Sequence, residues 1–592
     1  MIFGKYLNRY YLRYIYMLIL GILALVVVDY MQLAIPEYYR SLVNGLTYGV
    51  VTKDGATVEF DMEFLLSEIC LPMIFVILGI VIGRFLWRIA FRSVAIKAET
   101  GLREEMFSRS LELSREYYNT NKVGDLMTLY TNDIETVQDC VSWGVLMFFD
   151  ALFLGILAVR KMFLMDRVLT LLSLIPMGLL LGIGAVLDHH LEKRWDKRQA
   201  AFSELSDFAQ QTFSGIAVVK AFVKETVELI RFKKINEKNE NANVSHTKMS
   251  TVLSILVTLF VESVVCVILG YGGFLVWKGD FNAGQLVEFI GYFTAIIWPI
   301  MAVSQLIEMR SRGNASLKRI AKLLDSKADV CDSCSVEKSP ELRASVEFRN
   351  LDFTYPGASY PALSGVSFKI EEGELVGLVG KTGSGKTTLV DLIVRTYNVE
   401  DGTLFIGGKD INKIPIRSVR DFVSYVPQDN FLFSDTIANN ISFASDRKRE
   451  DEIIAAAKSA EVHSNIAEFP DAYSTVLGER GVTVSGGQKQ RISIARALIK
   501  DSGILILDDS VSAVDVKTEK RILENLRAVR KNKTTILIAH RVSTVEGMDK
   551  IIYIDDGVIT GVGTHAELIE RCASYRNMVE LQRLDSKEAD YE

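Results

Sequence analysis

Between Leu375 and Val394 the chain runs from a short apolar stretch into Gly380-Lys381-Thr382-Gly383-Ser384-Gly385-Lys386-Thr387, and from Thr388 onward its apolar residues recur at helical spacing. Glycines at 380, 383 and 385 let the backbone turn tightly, so that its N–H groups line a cradle at the positive end of the following helix. A cradle of this kind takes the β- and γ-phosphates of a nucleotide. Lys386 would sit on those phosphates, and the Thr387 hydroxyl would ligate Mg2+. A second apolar run, Ile504 to Leu507, ends in two consecutive carboxylates, Asp508 and Asp509. Asp508 is the carboxylate expected to hold the Mg2+ shell.

Many nucleotide-binding families share those two elements, and a third narrows the choice. In Val484-Ser485-Gly486-Gly487-Gln488-Lys489-Gln490-Arg491, the serine and the consecutive glycines open a helix whose free N–H groups suit a phosphate. The segment nevertheless lies about a hundred residues from its own phosphate loop. It resembles the LSGGQ signature of the ABC transporter ATPases, with Val484 in place of leucine. The resemblance implies that Ser485, Gly486, Gly487 and Gln488 cap an ATP held by a partner subunit.

Further motifs follow in the family's order. Tyr355 looks like the aromatic that stacks on adenine, although a lone tyrosine there also reads as a core residue. Gln428 resembles the glutamine that contacts Mg2+ and the attacking water. Thr475 to Gly481, with Glu479 and Arg480, is similar to the exporter loop that touches the intracellular loops. Ser512 to Asp515 resembles the D-loop, with Val514 for leucine, and His540 resembles the switch histidine that hydrogen-bonds the γ-phosphate. Asp509 stands where the family usually has the glutamate that polarises the attacking water. Shortening that side chain by one methylene withdraws the base by about 1 Å, and a misplacement of that size costs about a hundredfold in rate. The site that this chain builds around Lys386 is therefore expected to be slow.

The elements that carry these residues fall in two parts. The 592 residues exceed the usual size of one domain, and 49% hydrophobic residues coexist with 24% charged ones. The apolar excess precedes Leu324. Six stretches there approach the roughly 20 apolar residues that a bilayer requires, at about 14–34, 69–90, 141–159, 168–187, 251–277 and 286–307. Lys5, Arg9 and Arg13 precede the first, and the loop after it is mostly acidic, so the N-terminus is expected on the cytoplasmic side. A cleaved signal peptide is the competing reading, and no small-residue cleavage site follows Val28 to support it. Arg160, Lys161 and Arg167, between the third and fourth stretches, offend the charge rule locally.

Two long polar stretches with helical apolar spacing, about 91–140 and 188–250, are expected to extend the spans into the cytoplasm. Tyr117 to Asp133 and Ser214 to Glu225 resemble the two intracellular loops of ABC exporters. In that family each loop carries a short helix that docks on an ATPase domain, the second usually on the partner's. Gly284 to Phe289 and Lys318 to Ile320 complete the exporter pattern. The expected fold is an all-α six-helix transmembrane domain of ABC exporter type (residues 1–324), a polar linker (325–342), and an α/β P-loop, RecA-like nucleotide-binding domain with an α-helical subdomain (343–592).

Family likeness implies head-to-tail pairing of two such chains around two ATP molecules. With Asp509 in both halves a homodimer would carry two weak sites, so the expected partner is a different half-transporter with the catalytic glutamate; an active homodimer in which Asp509 is tolerated is the alternative. The resemblance points to multidrug exporters of the cytoplasmic membrane that move hydrophobic or amphipathic compounds. Within the spans, Asp29, Asp150 and Glu262 are costly enough in lipid to face a cavity or another helix, and Trp298, Tyr30 and Phe293 add aromatic surface suited to amphipathic cations. Pro299 is expected to kink the sixth span. A lipid flippase, and a nucleotide-regulated membrane protein that does not pump, are the competing functions. Peptide export with leader removal is disfavoured, because the sequence starts directly at the first span without a protease domain. A net charge of −6, with basic residues gathered beside the membrane, argues against a nucleic-acid partner. Six scattered cysteines imply no disulfide framework, and the lone Cys331/Cys334 pair lacks the about four ligands of a zinc site.

Overall fold

The structure, a computed structural model, describes residues 4–53, 56–333, 336–337, 341–445, 449–478, 481 and 483–589. Cys334 and the Glu479-Arg480 pair lie outside the described residues. Contacts divide the chain into two compact units, Met1–Arg109 with Gly124–Asp325, and Ser110–Val123 with Ser326–Glu592.

The first unit is helical. Its long elements are α1 (Ile15–Gln32), α2 (Ile35–Tyr48) and α3 (Leu71–Glu112), and α4 (Arg115–Thr120) follows within the short segment assigned to the second unit. Then come α5 (Val145–Met165), α6 (Arg167–Ser214), α7 (Ile216–Ala221), α8 (Glu225–Lys278) and α9 (Ala283–Asp325). Their ends obey local chemistry: Asp166 caps α6 by accepting from Leu169 N, and glycines in the left-handed region terminate α2 at Gly49 and α8 at Gly279. Pro299 lies inside α9 without ending it. At 1.5 Å per residue the 42 residues of α3 span about 60 Å, twice the hydrocarbon thickness, so the helix must run well beyond a bilayer.

Among the described residues five helical stretches are long and apolar enough to cross a membrane: Ile15–Tyr48, Met62–Glu112, Val123–Met165, Glu225–Lys278 and Ala283–Asp325. The remaining expected span falls in α6, whose described apolar part is Arg167–Pro176. The chain is a multi-pass membrane protein.

Helix α9 organises this unit, packing against α5 and α2, while α6 pairs along its length with α8. The apolar core includes Leu154, Met162, Ile268, Phe289 and Phe293. Several polar groups beside it are paired. The Lys161 ammonium meets the Glu37 carboxylate, Arg40 lies 3.0 Å from Glu288, and the Tyr292 hydroxyl is 2.8 Å from Glu288 and 3.2 Å from Glu37. The lysine that offends the charge rule is thus neutralised by a neighbouring helix.

The second unit holds two sheets. A four-stranded antiparallel sheet contains β1 (Val346–Phe353), β2 (Leu363–Ile370), β4 (Leu404–Ile406) and β5 (Lys409–Asp410), in the order β2-β1-β4-β5. The larger sheet contains β3 (Leu375–Val379), β6 (Val423–Val426), β7 (Ile504–Asp508), β8 (Thr534–Ile538), β9 (Lys550–Asp555) and β10 (Val558–Gly563), in the order β10-β9-β3-β8-β7-β6. All its pairings are parallel except β9 with β10. Strands β3, β7 and β8 are buried at every residue, as continuous apolar strands covered on both faces should be. One face carries the core around Leu389, Leu392 and Ile504, the other that around Leu477, Ile494 and Leu507.

Candidate nucleotide-binding site

Parallel sheets of this type present their ligand sites at the carboxyl ends of the strands, and register brings the candidate residues to one such edge. Ile538 is paired with both Leu378 and Asp508, and Val426 with Leu507. Gly380, Asp509, Gln428 and His540 therefore leave four neighbouring strands at nearly the same level. Gly380 has no room for a side chain, since a Cβ there would lie 2.1 Å from the Ile554 carbonyl, and Gly385 turns the chain at φ +101° into α10 (Lys386–Ile393).

In the cradle, Lys386 is almost fully buried, and its Nζ donates to the carbonyls of Gly380 (2.9 Å) and Lys381 (2.7 Å). Burial holds its ammonium below the ordinary lysine range, with Asp508 and Asp509 pulling it back up. The Ser384 hydroxyl is buried and has no protein partner. An orphaned donor beside a buried ammonium fits a phosphate. Thr387 donates to the Asp508 carboxylate, which the Tyr425 hydroxyl also approaches at 3.4 Å. Burial is the largest influence on Asp508 and raises its pKa against those two hydrogen bonds. A hydroxyl and a desolvated carboxylate side by side are hard oxygen ligands of the kind Mg2+ takes.

Asp509 occupies the left-handed region at φ +47°, which Asp tolerates better than most residues. Its N–H donates to the Ile538 carbonyl at 3.1 Å, and its carbonyl accepts from the Ser512 hydroxyl at 2.9 Å. Gln428 is exposed just beyond β6, and His540 is half-buried just beyond β8. The Tyr355 ring packs edge-on against Phe353 and Tyr397, and its hydroxyl lies 2.8 Å from that of Thr388. It is both a part of the core's rim and a neighbour of α10.

Ser485 and Gln488 form a reciprocal capping box at the start of α11 (Gly486–Leu498). A Cβ on Gly487 would lie 2.9 Å from the Ala513 carbonyl, whereas one on Gly486 would meet nothing within 4 Å. Packing within this chain therefore requires glycine at 487 only. Asp515 caps the next helix, α12 (Val516–Val529), by accepting from Thr518 N at 3.0 Å, and hydrogen bonds from the Thr518 side chain and backbone lower its pKa. Among the described residues, no hydrogen bond or ion pair joins Ser485–Gln488 or Asp515 to the loop 380–388.

Three contacts escaped sequence reasoning. Gln490 donates to the Asp509 carbonyl at 3.4 Å and accepts from Ala513 N at 3.1 Å, tying α11 to the residues after β7. Gln582, on the C-terminal helix α13 (Ala573–Ala589), donates to the His540 carbonyl at 2.7 Å and accepts from Val542 N at 2.8 Å. Arg115 of α4 lies 3.2 Å from the buried Asp391 on α10, within the second unit. The first two glutamines sit in runs whose spacing carries no sign of these partners, while Arg115 adjoins the tyrosines that mark the loop.

In the helical unit Asp29, Asp150 and Trp298 come together from three helices. Glu262, exposed on α8, makes none of those contacts.

Residues 18–300 match the family described as the ABC transporter transmembrane region, and residues 363–512 match the ABC transporter family. The chain is 34% identical over 588 residues to the probable multidrug resistance ABC transporter ATP-binding/permease protein YheI of Bacillus subtilis, covering 99% of this chain and 98% of that one. It is 33% identical to the multidrug resistance-like ATP-binding protein MdlA of Escherichia coli, over 98% of this chain and 96% of that one. Among solved structures, a bacterial Atm1-family ABC exporter with ATP bound is similar at a TM-score of 0.77 and 28% identity, over 97% of this chain and 98% of that one.

Proposed function

The chain belongs to the ABC transporter family as an exporter half-transporter, its transmembrane and ATPase domains fused, and from that premise we propose that it is one half of a heterodimer exporting amphipathic compounds. It works in the cytoplasmic membrane with its ATPase domain in the cytoplasm, and ATP drives the export. In the proposed assembly Tyr355, Gly380–Thr388 and His540 bind ATP, and Thr387, Gln428 and Asp508 hold Mg2+, which would neutralise charge developing on the γ-phosphate. Ser485–Gln488 and Asp515 serve the partner's nucleotide.

The observation that supports a partner is exposed apolar surface at two places a single chain has no reason to leave bare. Phe213, Val218, Phe222 and Val223, around α7, are each more than 60% exposed. On the ATPase side Phe433 stacks on Phe443 and meets Phe431 edge-on, with the Arg496 guanidinium over the rings of Phe433 and Phe443, and all three rings are exposed. Asp509 supports the unequal division of labour, because its carboxylate is one methylene short of the usual base. ATP held by Lys386 would be hydrolysed slowly, and the signature around Ser485 would complete the partner's faster site.

Native mass measurement of the tagged chain purified from its host membrane, with tandem mass spectrometry of its companion, tests this reading. A stoichiometric second half-transporter carrying glutamate where this chain has Asp509 is the expected result. A homodimer with robust ATPase activity would overturn it.

A further inference from the structure

Asp29, on α1, is 1% exposed, and its Oδ2 has no protein partner. Its carboxyl is in hydrogen-bond contact with that of Asp150, on α5. Asp150 Oδ2 in turn accepts from Trp298 Nε1, on α9, at 2.6 Å. The indole above this pair is 40% exposed, so the carboxyls are reached past an aromatic surface. Arg84, on α3, is the one charged side chain from a neighbouring helix that acts on both carboxyls among the described residues, and it also bonds Gln32 at 3.3 Å.

Ionised carboxylates only accept hydrogen bonds, so contact between two of them requires a shared proton. Such a pair titrates as one unit. Charge balance gives the same answer: a single guanidinium offsets one carboxylate, and the second is cheap to keep in an apolar interior only when it is neutral. A monovalent cation that replaces the proton leaves the total charge unchanged. Charge decides which cation. A divalent ion in the proton's place would leave the two carboxylates and the Arg84 guanidinium with a net positive charge in an apolar interior, and no group of three metal-binding side chains occurs among the described residues. The indole, by contrast, suits a lipophilic cation.

We propose that Asp29 and Asp150 form a single proton-holding site which exchanges its proton for a lipophilic monovalent cation docked against Trp298. The inference deepens the export reading above and rests on it. In the exchange the carboxyl O–H bond breaks heterolytically, the proton passes to water and the cation takes its place. No electron is transferred. Export from this site would carry substrate out in antiphase with a proton, so substrate affinity rises as pH rises.

The test uses the full chain in its native assembly, reconstituted in lipid nanodiscs, with tetraphenylphosphonium as the probe. Infrared spectra should contain a protonated-carboxyl C=O band that shifts in D2O and disappears in both Asp29→Asn and Asp150→Asn. Adding the probe in weak buffer should release about one proton per cation bound, and the variants should lose at least nine-tenths of that release. Trp298→Phe, which keeps both carboxyls, should retain the band and the release while binding the probe more weakly, so a loss in the Asn variants is not mistaken for misfolding. Probe binding without proton release, or a band that neither Asn variant removes, overturns the exchange and leaves the export reading standing. Absence of probe binding to the wild type, with the band intact, overturns both.

Discussion

Replacing Asp509 by glutamate restores one methylene to the side chain that follows Asp508, the proposed Mg2+ ligand, and two opposing magnitudes follow from its position. If the aspartate is withdrawn by about 1 Å, the rate at this site should rise by about a hundredfold, or some 2.7 kcal/mol of barrier. Residue 509 also sits at φ +47°, where glutamate is less comfortable than aspartate by about 1 kcal/mol. That strain is present before and throughout the reaction, so it lowers stability and not the rate, by about 2–4 °C in a domain of this size. The assay is single-turnover hydrolysis of labelled ATP by the native assembly in excess. Hydrolysis should show two phases, the fast one from the partner's site. Asp509→Glu should accelerate the slow phase towards the fast one, and adding Lys386→Ala should abolish that gain. If Asp509→Glu stays within twofold of the wild type while Asp509→Asn removes the slow phase, Asp509 is an adequate base and its shorter side chain does not limit the rate.

Tyr355→Ala should weaken ATP binding by about tenfold, since stacking of a base on an aromatic contributes about 1–3 kcal/mol; Tyr355→Phe, losing only the bond to Thr388, should change it less than threefold by equilibrium titration. Burial lowers the pKa of Lys386 from its ordinary value of 10.5 in the free protein, and bound phosphate favours the ammonium, so the contribution of Lys386 to ATP affinity should fall as pH rises through the lowered value. Titration of nucleotide affinity against pH should show this fall in the wild type and not in Lys386→Met. Asp391 is buried against a half-exposed Arg115, so Arg115→Ala should destabilise the ATPase unit by about 1 kcal/mol after allowance for screening, and Asp391→Asn should restore much of the loss in thermal unfolding of the double variant.

Much of the site was legible in the linear sequence because its pieces are local. A phosphate loop is a run of eight residues whose glycines are dictated by its own turn, and close approach at Gly380 and the positive φ at Gly385 are the geometry that run requires. The buried strands β3 and β7 were equally plain as continuous apolar runs, and the five long apolar helices follow from length and hydropathy alone. Element boundaries were less legible. The first expected span breaks at Leu33, where α1 gives way to α2, and the third begins within a π-helical turn, Cys140–Gly144, because hydropathy averages over the residues at which a helix changes its hydrogen bonding.

The sequence by itself determined the family and the two-part architecture, and it singled out Gly380–Thr387, Asp508, Ser485–Gln488 and His540 as the candidate set. Their identities are encoded in short runs whose chemistry needs no distant partner. Tertiary structure alone decided which ionisable groups in the spans belong together. Asp29, Asp150 and Glu262 look alike in sequence, yet helix packing joins the first two beneath Trp298 and leaves Glu262 exposed on α8. It also decided that Gln582 braces the loop of His540, that Arg115 meets Asp391, and that Asp509 adopts a left-handed backbone. These depend on how elements far apart in the chain pack, and on the register of parallel strands joined by long crossovers, neither of which leaves a periodic signature in the sequence.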